Sequence, residues 1–245
     1  MKNLTRKMFI IILVLSIIIS NNTIIFAVTD IEQSDVKNLK VIEFNGVRIA
    51  TASDEKTEYT TVYNTINNTI QVFAKDISTN KISSGTLMST DTNKILSDLT
   101  STRSTIHQDT FSNFEYDIWT GEENEWNLER PSGAFSQYYF MVNENDSNDE
   151  ELDEWYSAVN NLNDKEWEAV ATCSLALVKS AAAGFISGMA ASSSGILSVA
   201  AIKSIVEATE AAGDGVVALE RVGACCNDCL LTYIDVYDST DNMHF

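Results

Sequence analysis

Histidine is scarce in this chain. Two occur, His107 and His244, and the second sits one residue from the C-terminal end, where order is hardest to hold. No Gly-x-Ser-x-Gly elbow, no His-Glu-x-x-His zinc helix and no glycine-rich phosphate loop is present, so the common nucleophilic, metalloprotease and nucleotide chemistries have no sequence handle. His107 with Asp109 is the one base-like pair, and no nucleophile stands at a spacing that would use it. No second Cys or His pair accompanies Cys226-x-x-Cys229 at ligand spacing, which argues against a Cys/His zinc site. The 35 carboxylates offer no spacing that singles out an acid pair for glycoside cleavage. The expectation is a protein that is not an enzyme, with no cofactor and no small-molecule substrate.

Positive charge is also in short supply, 16 Lys and Arg against 35 Asp and Glu, for a formal charge of −19. Such a surface repels phosphate backbones and anionic headgroups, so nucleic-acid binding and the docking used by cationic peptides are both excluded. The deficit is uneven. Residues 28–168 carry 27 acidic side chains and ten basic ones, whereas residues 169–222 are close to neutral, with four against three.

What is present begins with an export-like N-terminus. Lys2, Arg6 and Lys7 precede an apolar stretch over residues 8–20, and the segment closes on Ile25-Phe26-Ala27. Cleavage near Ala27 is expected, giving a secreted, extracellular chain whose formal charge moves from −19 to −22 as three cations leave. An uncleaved anchor is the alternative, and the apolar core before the polar Ser20-Asn21-Asn22-Thr23 break is short for a span. Export permits disulfides among the four cysteines. A vicinal Cys225–Cys226 bridge would be strained, so the favoured pairing joins Cys173 to Cys225 or Cys226 and closes the other on Cys229. A Cys226-x-x-Cys229 redox centre is the competing reading, with no thioredoxin-like strand and helix before it.

The pattern predicts an α+β protein: a signal peptide over 1–27, a strand-rich acidic region over 28–150, a helical region over 151–222 and a Cys-containing tail over 223–245. Residues 39–44 and 47–52 flank Asn45-Gly46, a pair that supplies the positive φ angles of a tight hairpin turn. Residues 59–63 and 69–73 alternate like a second hairpin around Asn67-Asn68, further strands are expected at 114–119 and 135–142, and a short helix at 94–100. Twelve of the 22 aromatic residues fall within 105–168, a density that suits the core between a sheet and its covering helix better than a ligand surface. The string from Asn143 to Glu154 places oxygen ligands partly as a calcium loop does. Asn148 stands where glycine is wanted, Asn143 replaces the leading Asp and Glu150 an aliphatic residue, so it reads as an acidic loop before a helix.

Residues 169–202 form a small or apolar run broken by one charge, Lys179. Asn163 and Glu166 resemble a capping box, which predicts a helix over 164–191; a second over 196–212 completes an antiparallel hairpin. Ser180, Gly184, Gly188 and Ser192 recur every four residues and leave one face open to close backbone approach. Burial of this hairpin under the sheet competes with conditional contact with a membrane.

The export signal, the Thr- and Asn-rich strand region, the aromatic middle with Trp126 and Trp155, and the Ala-Gly-Ser helices ending in Cys225-Cys226-x-x-Cys229 together resemble the geobacillin-like family of large secreted bacteriocins of Gram-positive bacteria. The likeness is one of layout, covers most of the mature chain and carries no invariant motif. It implies a heat-labile antibacterial protein directed at close relatives through a target-cell membrane or envelope receptor, with no catalytic residues to carry over. The acidity departs from the many bacteriocins that exploit positive charge. A non-toxic secreted surface or matrix module, binding a partner through its strand region, is the alternative.

Overall fold

The structure is a computed structural model, and it describes residues 36–88, 105–132, 139–209 and 211–240. The export-like segment, the expected helix at 94–100 and His244 lie outside the described residues. The architecture is α+β: two antiparallel sheets come first, and an Ala/Gly/Ser-rich helical hairpin and a Cys-containing helix follow.

Sheet A is a five-stranded meander in the order β1-β2-β3-β4-β5, with β1 Lys37–Phe44, β2 Val47–Ser53, β3 Thr57–Asn64, β4 Thr69–Asp76 and β5 Ile82–Met88. Asn45 and Gly46 take φ of 51° and 74°, the paired positive values of the expected turn between β1 and β2. At the β3–β4 turn the Asn64 side chain accepts from the backbone N–H of Ile66 and Asn67, while Asn68 adopts φ 55°. Register then sorts the faces. Ala50 and Ala52, Tyr59, Thr61 and Tyr63, and Ile70, Val72 and Ala74 all turn inward and are buried.

Sheet B is a second meander, β6 Thr105–Asp109, β7 Glu115–Trp119, β8 Glu125–Glu129 and β9 Tyr139–Asn143. Its inner face presents Tyr116, Ile118, Trp126, Leu128, Phe140 and Val142. Four helices follow among the described residues: α1 Asp149–Thr172, α2 Leu175–Ala191, α3 Val199–Ala208 and α4 Asp214–Ser239.

Helix α1 starts within the acidic string because Asp149, Glu150 and Glu151 suit the positive end of its dipole. It buries Leu152, Trp155, Val159, Leu162, Glu166 and Ala169, an alternation of three and four that makes one seam along α4. Trp155 sits at the centre of the aromatic core, with ring centroids 6.1 Å from Phe114 and 5.5 Å from Tyr233, and Phe140 of β9 meets Tyr233 at 5.2 Å. The aromatic band is therefore mainly interior, as its density suggested.

The expected helix over 164–191 is two helices. The chain breaks at Cys173-Ser174, where the Ser174 side chain accepts from Leu177 N–H and caps a new helix. Asn163 and Glu166 are not a capping box, since both lie inside α1. The second hairpin helix is shorter than expected, capped by Ser198 through Ala201 N–H and ending at Ala208. The Cys-containing tail is the second half of the long helix α4.

Candidate functional site

Helix α2 is buried around nearly its whole circumference, enclosed by sheet A, α3 and α4. The small residues set how close these neighbours come. A Cβ added at Gly184 would lie 2.5 Å from Ile205 Cγ2 of α3 and 2.8 Å from Ile70 Cδ1 of β4; at Gly188 it would lie 2.7 Å from Leu197 Cδ2 and 3.0 Å from Ile205 Cδ1. Ile205 thus occupies a notch that only glycines leave open. Ser180 faces the sheet, its hydroxyl 3.1 Å from that of Tyr63, and Ser192 ends α2 while donating to the Ile196 carbonyl. On the sheet side, the Ser187 carbonyl oxygen would stand 2.1 Å from a Cβ at Gly85 of β5.

Few polar ties hold the hairpin. The Thr61 and Ser204 hydroxyls meet at 3.0 Å, Arg48 Nε donates to the Glu207 carbonyl at 2.7 Å, and Lys203 pairs with Glu220 at 3.2 Å. At the hairpin tip, Asn227 of α4 accepts from Leu197 N–H and donates to the Leu197 carbonyl, both at 2.8 Å. Among the described residues no helix is long and apolar enough to cross a membrane. The 17 residues of α2 rise about 25 Å and the ten of α3 about 15 Å, against the roughly 30 Å of a bilayer core.

All four cysteines are free thiols. The favoured bridge from Cys173 to Cys225 or Cys226 does not form, for a reason of distance. Cys173 packs at the start of α4, where its Cβ would lie 3.1 Å from a Cβ on Gly215. Cys225 is ten helical positions further along, about 15 Å away, well beyond the ~7 Å Cα separation a disulfide tolerates. Burial raises the thiol pKa of Cys225 and drives those of Cys226 and Cys229 well above the ordinary thiol value, with neighbouring thiols and Asp228 adding to the effect. That is the opposite of the depressed thiol a redox or nucleophilic centre requires.

Glu166 does something its sequence context concealed. Fully buried on α1, its carboxylate accepts from Phe111 N–H at 2.6 Å, Ser112 N–H at 2.9 Å and the Ser112 hydroxyl at 2.6 Å, tying the β6–β7 turn to the helix. Burial pushes its pKa up to about 7 despite these three donors, which favour the ionised form. Only the partner turn reveals this role, and no local spacing predicts it.

His107 pairs differently from expectation. Asp109 is on the same strand, while antiparallel register sets His107 opposite Asp117 of β7. His107 Nδ1 lies 2.9 Å from Asp117 Oδ1 and 4.0 Å from Glu115 Oε1. In the calcium-like string, Asp149 to Glu154 are wound into α1; Asn145 Oδ1 accepts from the Ser147 N–H and Asn148 Oδ1 from the Asn145 N–H, so the side chains serve a helix-leading turn. No protein family, curated protein or solved structure matches the chain.

Proposed function

We propose that the chain is an exported antibacterial protein of bacteriocin type, acting on the envelope of related bacteria, with the α2–α3 hairpin as its membrane- or receptor-contacting element. The observation that carries this reading is a helix whose residues 180–189 are small or apolar and covered on every side by other elements, the arrangement expected of a segment stored for a second apolar environment as well as of a core helix. At 17 and ten residues neither helix reaches across a bilayer core, so the contact proposed is partial and does not span.

The test is a reversible lock. The Thr61 and Ser204 hydroxyls are 3.0 Å apart, so Thr61→Cys with Ser204→Cys places two sulfurs where they can bond and pins α3 to sheet A. Growth inhibition of related Gram-positive strains by the open protein, lost on oxidation of the lock and restored by reduction, is the expected result. Equal killing by locked and open forms overturns the hairpin mechanism. No killing across a broad panel overturns the antibacterial reading and favours a surface-binding module. A specific feature suits that second reading: register sets Ile42 and Phe44 beside Val47, Ile49 and Val62 on the outer face of sheet A, and Phe44 is 62% exposed.

A further inference from the structure

We infer that His107, Glu115 and Asp117 form a binding site for one divalent transition-metal ion on the outer face of sheet B, independent of any action of the hairpin. Three donors of metal-ligating type converge there: one ligand atom from each lies within 4.8 Å of the other two. Two adjacent strands position them. His107 of β6 is directly across from Asp117 of β7, and Glu115 is two residues along β7, so all three side chains leave the same face of the pleat. The pairing holds the backbone of all three at fixed spacing, and little loop ordering is needed to bring them together.

The distances suit an ion. Zinc takes nitrogen and carboxylate oxygen at about 2.0–2.2 Å, which sets donor atoms about 3.3 Å apart in a tetrahedron. The Nδ1–Oδ1 separation of 2.9 Å and the Nδ1–Oε1 separation of 4.0 Å bracket that value. A divalent ion can engage one donor atom from each of the three side chains together.

Exposure is graded across the site. The Asp117 and Glu115 side chains are 7% and 14% exposed and His107 is 35% exposed, so the carboxylates form a floor and the imidazole a solvent-side wall. An imidazole with two carboxylates suits zinc or manganese better than calcium, which prefers oxygen alone. The formal charge of −19 draws cations toward the chain.

The experiment titrates the purified full chain with zinc alone by calorimetry, and with cobalt(II) by absorbance, since a thiolate ligand adds an intense near-ultraviolet charge-transfer band. One equivalent of zinc is expected to bind, with no thiolate band for cobalt. His107→Gln, at a partly exposed position that keeps a donor toward Asp117, and Asp117→Asn are each expected to weaken zinc about tenfold or more. Circular dichroism confirms that both variants fold. No binding by the wild type, unchanged affinity in His107→Gln, or a thiolate band that places the ion at the cysteines overturns the assignment.

Discussion

Gly85→Ala tests how the helical hairpin is seated on sheet A. The added Cβ would lie 2.1 Å from the Ser187 carbonyl oxygen, 2.8 Å from its carbon and 2.9 Å from its Cα. Ordinary contact begins near 3.4 Å, so α2 and β5 would have to part by about 1.3 Å. All three atoms are helix backbone, which cannot rotate away as a side-chain tip can. A radial gap of 0.5–1 Å forfeits about a quarter to a half of the dispersion well, and α2 meets β4 and β5 along much of its length. Overpacking of a core typically costs about 1–3 kcal/mol, and backbone against backbone belongs at or above the top of that range. Alanine's advantage over glycine in a strand recovers at most about 1 kcal/mol. The expected net loss is therefore about 2–3 kcal/mol in urea unfolding, seen as a lower midpoint at unchanged slope. Gly121→Ala is the control, because its Cβ would meet one atom at 3.3 Å in a turn. A Gly85→Ala midpoint indistinguishable from wild type refutes the close seating of α2.

Two further outcomes follow from the interior. Glu166 has its pKa raised from 4.5 to about 7, so the folded state binds more protons than the unfolded state between those values. Stability from this group is then present below about pH 4.5 and lost as pH rises toward 7, a fall on the order of 3 kcal/mol. The difference in unfolding free energy between wild type and Glu166→Gln should slope over that window, and a flat difference refutes the assignment. Thiol titration of protein purified without reductant should find four reactive groups after denaturation and one, the half-buried Cys173, promptly in the native state. Fewer than four in denaturant means a disulfide forms.

Much of the strand region was legible because local chemistry dictates it. Asn45-Gly46 announces its hairpin, and alternation over 59–63 and 69–73 sets Tyr59, Thr61 and Tyr63 on one face and Ile70 and Val72 on one face without reference to distant residues, the faces the structure buries. The stripe of Gly184 and Gly188 likewise indicated close approach, although what approaches is side chain and not backbone: Ile205, with Ile70 and Leu197. Long-range pairings were not legible. Glu166 looked like a capping partner of Asn163 because its real donors, at 111 and 112, lie more than 50 residues earlier. His107 stands two residues from Asp109 in the sequence, whereas its partner is set by β6–β7 register. The Cys173 bridge is not made because Cys173 packs beside Gly215 at the start of α4, while Cys225 and Cys226 lie ten and eleven positions further along that helix.

That helix has a consequence for the order in which the molecule can assemble. Both sheets are meanders of neighbouring strands, so each can zip up from short loops soon after its own residues are free. Neither gains a closed interior by doing so. Helix α4 runs along α1, lies close enough to α2 and α3 that a Cβ on Gly223 would be 3.0 Å from Phe185 and Ile202, and sends Tyr233 against Phe140 of sheet B. A chain lacking residues 214–239 leaves the seam of α1, one side of the hairpin and the Phe140 ring uncovered, so those apolar surfaces close only when the last helix packs.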